Sequence, residues 1–311
     1  MYDRMIATLL ENLSNSDKYK WHMDLNLILD GGAFSGSYQL GALYYLREME
    51  KKYDIQVDKI SGCSIGAILG YLYITDQLDY GVQMYKHLRQ CFIEKGDLSI
   101  AKSLLEQIQK NSNDDVYLSC NGRLVISYYD VLLCEHIGVD EFENNDHLFD
   151  VLYRSIFIPI FIDGRIVYNE RYIDGLYPKI NIYSEDIREK PVKLERKRKT
   201  LFLNLMNGKF QKMIYIKGEL NNATRILTGI LDIHSFFLDG TKTEFCSYLE
   251  EWNDFDNSVF YLRKVLSKIF VYFIACYLFM KKHFRKILSS YEQNSNLQNG
   301  ILPYFVRFFF T

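Results

Sequence analysis

Residues 25–29 (LNLIL) form an uninterrupted apolar run that stops at Asp30 and two glycines, a pattern that predicts a strand buried on both faces. The period then changes. Leu40, Leu43, Tyr44 and Leu46 recur at helical spacing opposite Arg47, Glu48, Glu50 and Lys51, so a helix is expected over about residues 37–52. A second strand is expected over 55–60, a glycine-containing turn over 61–66 and a largely apolar helix over 67–74. Two strands joined by one helix make a βαβ unit with a right-handed crossover. Helical spacing resumes over 79–110 with a break at Gly96-Asp97, followed by strands at 123–128, 165–168 and 200–205 and a helix near 148–155. Strands alternating with helices point to a layered α/β sheet. Beyond residue 221 helix-like stretches dominate, and the composition shifts near Gly208. The organisation expected is an N-terminal helical segment over 1–24, a core over 25–207 that holds every chemical motif, and a helical C-terminal region over 208–311.

Composition narrows the class. A hydrophobic content of 48% with 15% aromatics describes an ordered globular chain, because a disordered one carries too few apolar residues to offset its ordering entropy. Most of the 25 Tyr and 21 Phe are expected to fill the core, and lipid contact is the other use for them. A formal net charge of -2 gives no global field for nucleic acid, so no nucleic-acid partner is expected. The six cysteines, Cys63, Cys91, Cys120, Cys134, Cys246 and Cys276, lack any C-x-x-C spacing, which favours a reducing, intracellular setting over a disulfide framework or a zinc site. Residues 1–10 lack the long apolar stretch and small-residue cleavage site of a signal peptide.

Chemistry concentrates at three places. Gly62-x-Ser64-x-Gly66 lies between a strand and a helix, where a sharp turn lifts a serine above the sheet and leaves no room for side chains on either flank. Gly31 and Gly32 follow the first strand and precede a helix, so their backbone N–H groups are free to turn outward and hold a developing oxyanion, each such donor contributing about 3 kcal/mol. The same stretch fails as a nucleotide loop: Ser35-Gly36-Ser37 has no lysine for a P-loop, and Ala33 breaks the G-x-G-x-x-G dinucleotide pattern. A serine hydroxyl needs a base. None of the histidines, His22, His87, His136, His147, His234 and His283, lies in a glycine-rich or strand-end setting. Asp174-Gly175 ends a short extended segment from which a carboxylate can be aimed inward, and Asp163-Gly164 is a similar dipeptide shortly before it.

Asp30-Gly31-Gly32-x-x-x-Gly36, Gly62-Cys63-Ser64-Ile65-Gly66 and Asp174-Gly175 occur in that order, with Ile158-Pro159-Ile160-Phe161 ahead of the last. Over roughly residues 25–205 the chain resembles the patatin-like phospholipases, a family that is similar to the catalytic domain of cytosolic phospholipase A2. The resemblance implies a three-layer α/β/α fold with a mostly parallel central sheet, here followed by a helical C-terminal extension. It also implies a Ser64–Asp174 dyad without histidine and an oxyanion hole from Gly31, Gly32 and Ala33, supported by Gly36, Gly62, Gly66 and Gly175. The activity implied is phospholipase A-type cleavage of fatty acyl esters in phospholipids or other acyl lipids at a membrane surface, with no cofactor and no metal. Three positions depart from the family pattern: Ala33 replaces a third glycine, Ser35 a basic residue, and Leu176 a further glycine. Two alternatives stay open, a catalytically silent lipid-binding protein that keeps the elbow for packing, and an α/β-hydrolase esterase using Ser64, Asp174 and His234.

Residues 269–280 (IFVYFIACYLFM) are uninterrupted apolar sequence with basic flanks. Twelve residues fall short of the ~20 that span a bilayer, which ranks a buried helix and a peripheral membrane helix ahead of a span. The basic run at 193–199 (KLERKRK) reads as a solvated loop able to attract anionic headgroups, and the aromatic tail at 304–310 (YFVRFFF) must pack somewhere or meet a partner.

Overall fold

The computed structural model describes residues 2–14, 22–180, 197–206 and 222–292. The run at 193–196 and the tail at 304–310 lie outside them. A helix α1 (Tyr2–Ser14) precedes strand β1 (His22–Leu29), helix α2 (Gly36–Lys52), strand β2 (Asp54–Cys63) and helix α3 (Ile65–Ile74). Then come α4 (Leu78–Lys95), α5 (Ala101–Lys110), α6 (Val116–Cys120), the hairpin β3 (Leu124–Asp130) and β4 (Glu135–Val139), and α7 (Asn145–Ser155). The last elements are β5 (Tyr172–Asp174), β6 (Lys197–Leu203), α8 (Ala223–Asp239), β7 (Cys246–Tyr248) and α9 (Asp254–Glu292). The helical break expected at Gly96-Asp97 is the left-handed cap that ends α4 (Gly96 φ 75°). The strand expected over 165–168 is absent, and only Tyr168 there bridges to Tyr172.

The sheet runs β4-β3-β2-β1-β6-β7, with β5 pairing β3. Its centre is parallel (β3, β2, β1, β6) and its margins (β4, β5, β7) are antiparallel. The short strand β5 owes its place to the end of β2. The last residue of β2, Cys63, pairs Ser127, and from Tyr128 onward the edge of β3 that β2 leaves free takes Asp174, Ile173 and Tyr172. Asp174 thereby arrives beside the turn that follows β2.

Side chains alternate across the sheet as the period of two requires. Leu27, Leu29, Leu124, Ile126, Leu201 and Leu203 face a core shared with α1–α5, α7 and α8. Ile28, Val125, Tyr129, Ile173 and Phe202 face the other side, where Phe260, Val271 and Ile274 of α9 cover them. Helices on both faces of one sheet make the three-layer α/β/α architecture. Elements on either side of residue 208 share these cores: β7 pairs β6, and Ile226, Ile230 and Phe236 of α8 join the larger cluster. Gly41 and Gly229 allow α2 and α8 to touch, since a Cβ on Gly229 would sit 1.9 Å from the Tyr38 carbonyl oxygen.

The apolar run 269–280 lies within α9 and has two faces. Val271 and Ile274 are buried, whereas Phe273 and Phe279 are 70% and 72% exposed. Among the described residues no helix is long and apolar enough to cross a membrane.

Candidate active site

Ser64 sits at the tip of the turn between β2 and α3 with φ 53° and ψ −130°, a backbone state sparsely populated by residues with a Cβ. Packing holds it there. A Cβ on Gly62 would come within 2.6 Å of Ala67 N, and one on Gly66 within 2.4 Å of the Leu29 carbonyl oxygen, so both flanks of the elbow must be glycine. The Ser64 N–H donates to Ser155 Oγ (2.9 Å), and the Ser155 hydroxyl donates to the Ser127 carbonyl (2.7 Å). This strap fastens the turn to α7 and β3. Ser155 carries no motif signature, only a place at the end of a helical run, and it escapes a reading of the sequence.

Asp174 is buried at the end of β5. Its Oδ1 accepts the Leu176 N–H (2.7 Å), whereas Oδ2 is buried without a directed hydrogen bond. The Ser64 hydroxyl is the side-chain group that interacts with this carboxyl, in an arrangement that falls short of a well-aligned hydrogen bond. Burial pushes the Asp174 carboxyl up to about 6; Ser64, the Leu176 N–H and the Arg263 guanidinium pull it down, and Asp30 pushes it up. Gly175 must be glycine, because a Cβ would meet the Ser127 carbonyl oxygen at 2.4 Å. Leu176 holds φ 60°, the left-handed state for which glycine is the ordinary residue.

The first glycine turn lies against this elbow. A Cβ on Gly31 would sit 3.2 Å from Ser64 Cβ and one on Gly32 2.7 Å from Leu205 Cδ1. The Gly31 N–H faces the Cys63 sulfur, while those of Gly32 and Ala33 form no backbone hydrogen bond among the described residues. Ala33 adopts φ 43°, so an alanine takes the backbone state that glycine would otherwise supply. Gly36 packs under Tyr85 and Ile65, with no space for a Cβ. Ser35 is buried at the start of α2 and carries no charge to the site.

The remaining candidates lie elsewhere. Asp163 pairs with Arg165 in a surface turn. His234 Nδ1 is hydrogen-bonded to the Tyr45 hydroxyl (2.9 Å) between α2 and α8 and makes no hydrogen bond to Ser64 or Asp174. His136 stacks on Tyr177 and is held neutral, its pKa driven down to about 3 by burial and by Lys179. Cys63, next to Ser64, is fully buried with its thiol pushed well up by that burial, so it is a spacer and not a rival nucleophile. Among the described residues no three His, Cys, Asp or Glu side chains converge as metal ligands.

Beside Ser64 opens a cleft whose lining is almost wholly apolar, with Phe34, Ile65, Ile68, Leu98 and Ile156 among its walls. Reading the sequence also misses a cation. Arg263 of α9 is bidentate to Asp30, the residue that begins the glycine turn (Nη2–Oδ1 2.7 Å, Nη1–Oδ2 2.9 Å). Nothing in the local sequence of a long apolar helix marks that arginine as a neighbour of residue 30.

Comparison with known proteins bears on the first part of the chain. Residues 27–115 match the family model of the patatin-like phospholipases, a segment that includes both glycine turns and ends before Asp174. Over 165 residues the chain is 28% identical to the omega-hydroxyceramide transacylase of Mus musculus, covering 48% of this chain and 26% of that protein. The Homo sapiens protein of the same name is 26% identical over 48% of this chain and 30% of its own length. A 1-acylglycerol-3-phosphate O-acyltransferase of Mus musculus is 28% identical over 48% of this chain and 38% of its own. The aligned part thus spans between about a quarter and two-fifths of these relatives. Through residues 27–115 and the serine elbow they contain, the chain is similar to the patatin-like phospholipases.

Proposed function

We propose that this chain is a lipid acyl hydrolase of the phospholipase A type, with Ser64 as nucleophile and Asp174 as its base. The observation that carries the reading is the buried Asp174 carboxyl next to the strained Ser64 turn. Desolvation raises its pKa to about 6, close enough to neutrality for a carboxylate to accept a hydroxyl proton, yet low enough to leave it ionised at pH 7. Ser64 Oγ attacks the ester carbonyl and its proton passes to Asp174. The Gly32 and Ala33 N–H groups, with Gly31 behind them, hold the negative oxygen. The proton then goes to the departing alcohol, leaving a Ser64 acyl ester, and water activated by the same carboxylate releases the fatty acid. The apolar walls of Phe34, Ile68, Leu98 and Ile156 beside Ser64 give the first carbons of the acyl chain a dry surface.

The names of the relatives, a transacylase and an acyltransferase, favour a second fate for the same acyl-enzyme: transfer to the hydroxyl of an acceptor lipid in place of water. Both fates need a lipid surface, and α9 supports peripheral association with one. Its outward side presents Phe255, Leu262, Leu266, Phe273 and Met280, all exposed, and Lys268 and Lys282 are exposed on the same helix. Residues 25–207 hold the catalytic groups of this proposal, and within 208–311 the outward side of α9 is its membrane-facing part. Fatty acid release from phosphatidylcholine vesicles, with and without ceramide as acceptor, tests the function. Release or transfer that disappears in Ser64→Ala supports it, and unchanged turnover in that variant refutes it.

A further inference from the structure

Two turns must keep a fixed spacing for the proposed chemistry: the glycine turn that starts at Asp30 and the turn that follows Asp174. No main-chain hydrogen bond links them among the described residues. One side chain does, and it comes from the other layer of the fold. The Arg263 guanidinium grips both carboxylate oxygens of Asp30, which is fully buried, and its Nη2 also donates to the Leu176 carbonyl at 2.5 Å. Asp30 is in turn seated by Leu205 N–H on Oδ2 (3.2 Å), and its carbonyl accepts from Gln39 Nε2 (3.0 Å). Leu176 donates its N–H to Asp174 Oδ1 while holding a left-handed backbone, so the carbonyl that Arg263 grips belongs to the residue that aims the carboxylate.

Sheet parity explains why α9 provides this residue. Ile28 faces α9, and Asp30, two positions on, emerges on the same side where the strand ends. The planar fork of arginine can bridge a carboxylate and a carbonyl at once, and a lysine ammonium at the same place cannot span both. Surface ion pairs contribute little, but this pair has 13% and 0% of its side-chain surfaces exposed and is not of that kind.

We propose that Arg263 is a positioning residue for the acyl-transfer site: its guanidinium sets the spacing between the glycine turn at Asp30 and the Asp174 turn, and with it the reach of Asp174 to Ser64. The role rests on the Ser64–Asp174 reading. It predicts two separable effects of removing the side chain, one on geometry and one on charge, since Arg263 is the cation beside Asp174, whereas Asp30 and the buried Cys63 are its other titratable neighbours.

The test is the rate at which a fluorophosphonate labels Ser64 in the full chain, followed from pH 5 to 9 for wild type, Arg263→Ala and Arg263→Lys, with thermal melts as a check on folding. Arg263→Ala is expected to label about ten- to a hundredfold more slowly at pH 7, with a pH midpoint above that of wild type, and to recover in part with added ethylguanidinium. Arg263→Lys keeps the charge and is expected to hold the wild-type midpoint while its plateau rate falls. If Arg263→Ala does not fold, Arg263→Ala combined with Asp30→Asn leaves no orphaned buried charge; the same slow labelling is expected of it, with a midpoint nearer that of wild type because the Asp30 charge that raises Asp174 is gone as well, and labelling of that variant at the wild-type rate overturns the inference. Folded variants that label at the wild-type rate with the wild-type midpoint overturn the inference. Wild type that is never labelled overturns the dyad reading itself, an outcome distinct from labelled wild type with indifferent Arg263 variants.

Discussion

Replacing Asp174 by Asn should cost the protein its activity and increase its stability, and the gain should depend on pH. The carboxyl has a pKa of about 6 in the folded chain against an ordinary 3.8, chiefly because burial penalises its charged form. The folded state therefore binds more protons at this site than the unfolded state between those two values. By linkage, the stability associated with Asp174 is fully present below pH 3.8 and is lost as pH rises through 6. A shift of two units at about 1.4 kcal/mol per unit amounts to about 3 kcal/mol at pH 8. Asparagine is nearly isosteric, keeps an oxygen for the Leu176 N–H and has no charge to desolvate. Urea unfolding of wild type and Asp174→Asn at pH 4.5, 6 and 8 is the assay. The variant should gain about 1 kcal/mol at pH 4.5 and about 3 kcal/mol at pH 8. A difference between the two proteins that stays constant across that range would refute the claim that desolvation tunes this carboxyl.

Other substitutions probe the remaining parts of the site. Gly66→Ala drives a Cβ to 2.4 Å from the Leu29 carbonyl oxygen and 2.8 Å from that of Asp30, both main-chain atoms, so a loss of more than ~3 kcal/mol or failure to fold is expected in a thermal melt. Ser155→Ala leaves the Ser64 N–H without its acceptor and should lower stability by about 1–3 kcal/mol and slow acyl transfer, measured by melting and by fatty acid release. Phe273→Glu on the outward side of α9 should leave the fold and the hydrolysis of a short soluble ester intact while weakening sedimentation with anionic vesicles; unchanged co-sedimentation counts against membrane docking through this face.

The parts of this structure that are legible in the sequence are those written in local pattern. The apolar run before Asp30, the change of period after it and the glycines around Ser64 each reflect a nearby backbone constraint, and each matches an element of the fold: β1, α2 and the turn into α3. Strand β5 is three residues long, too short for periodicity, and exists because β2 ends at Cys63 and frees an edge of β3. Strand β7 is equally short and pairs across more than forty residues of sequence with β6. At the site, Ser64 and Asp174 stand out by their glycine neighbours. Ser155 and Arg263 do not, because each acts through a contact made across layers, 91 and 233 residues away from its partner in the chain. The apolar run at 269–280 shows the same limit from the other side: its composition reveals hydrophobicity, but the division into a buried stripe at Val271 and Ile274 and an outward stripe at Phe273 and Phe279 follows only from how α9 lies on the sheet.

The departures from the family pattern also acquire a physical meaning. Ala33 and Leu176 both occupy left-handed backbone, at φ 43° and 60°, where each side chain carries a cost of about 1–2 kcal/mol relative to glycine. The turns persist because they are held from outside, at the first by packing against Leu205 and at the second by the Arg263 contact to the Leu176 carbonyl.

The most direct measurement is peptide mapping by mass spectrometry after treatment with a fluorophosphonate at pH 8, on wild type and Asp174→Asn. The account predicts a single covalent adduct on Ser64 in the wild type and its near absence in the variant, whose melting temperature should be equal or higher. An unmodified Ser64 in the folded wild type, or an adduct that forms just as quickly when the carboxylate is gone, contradicts it.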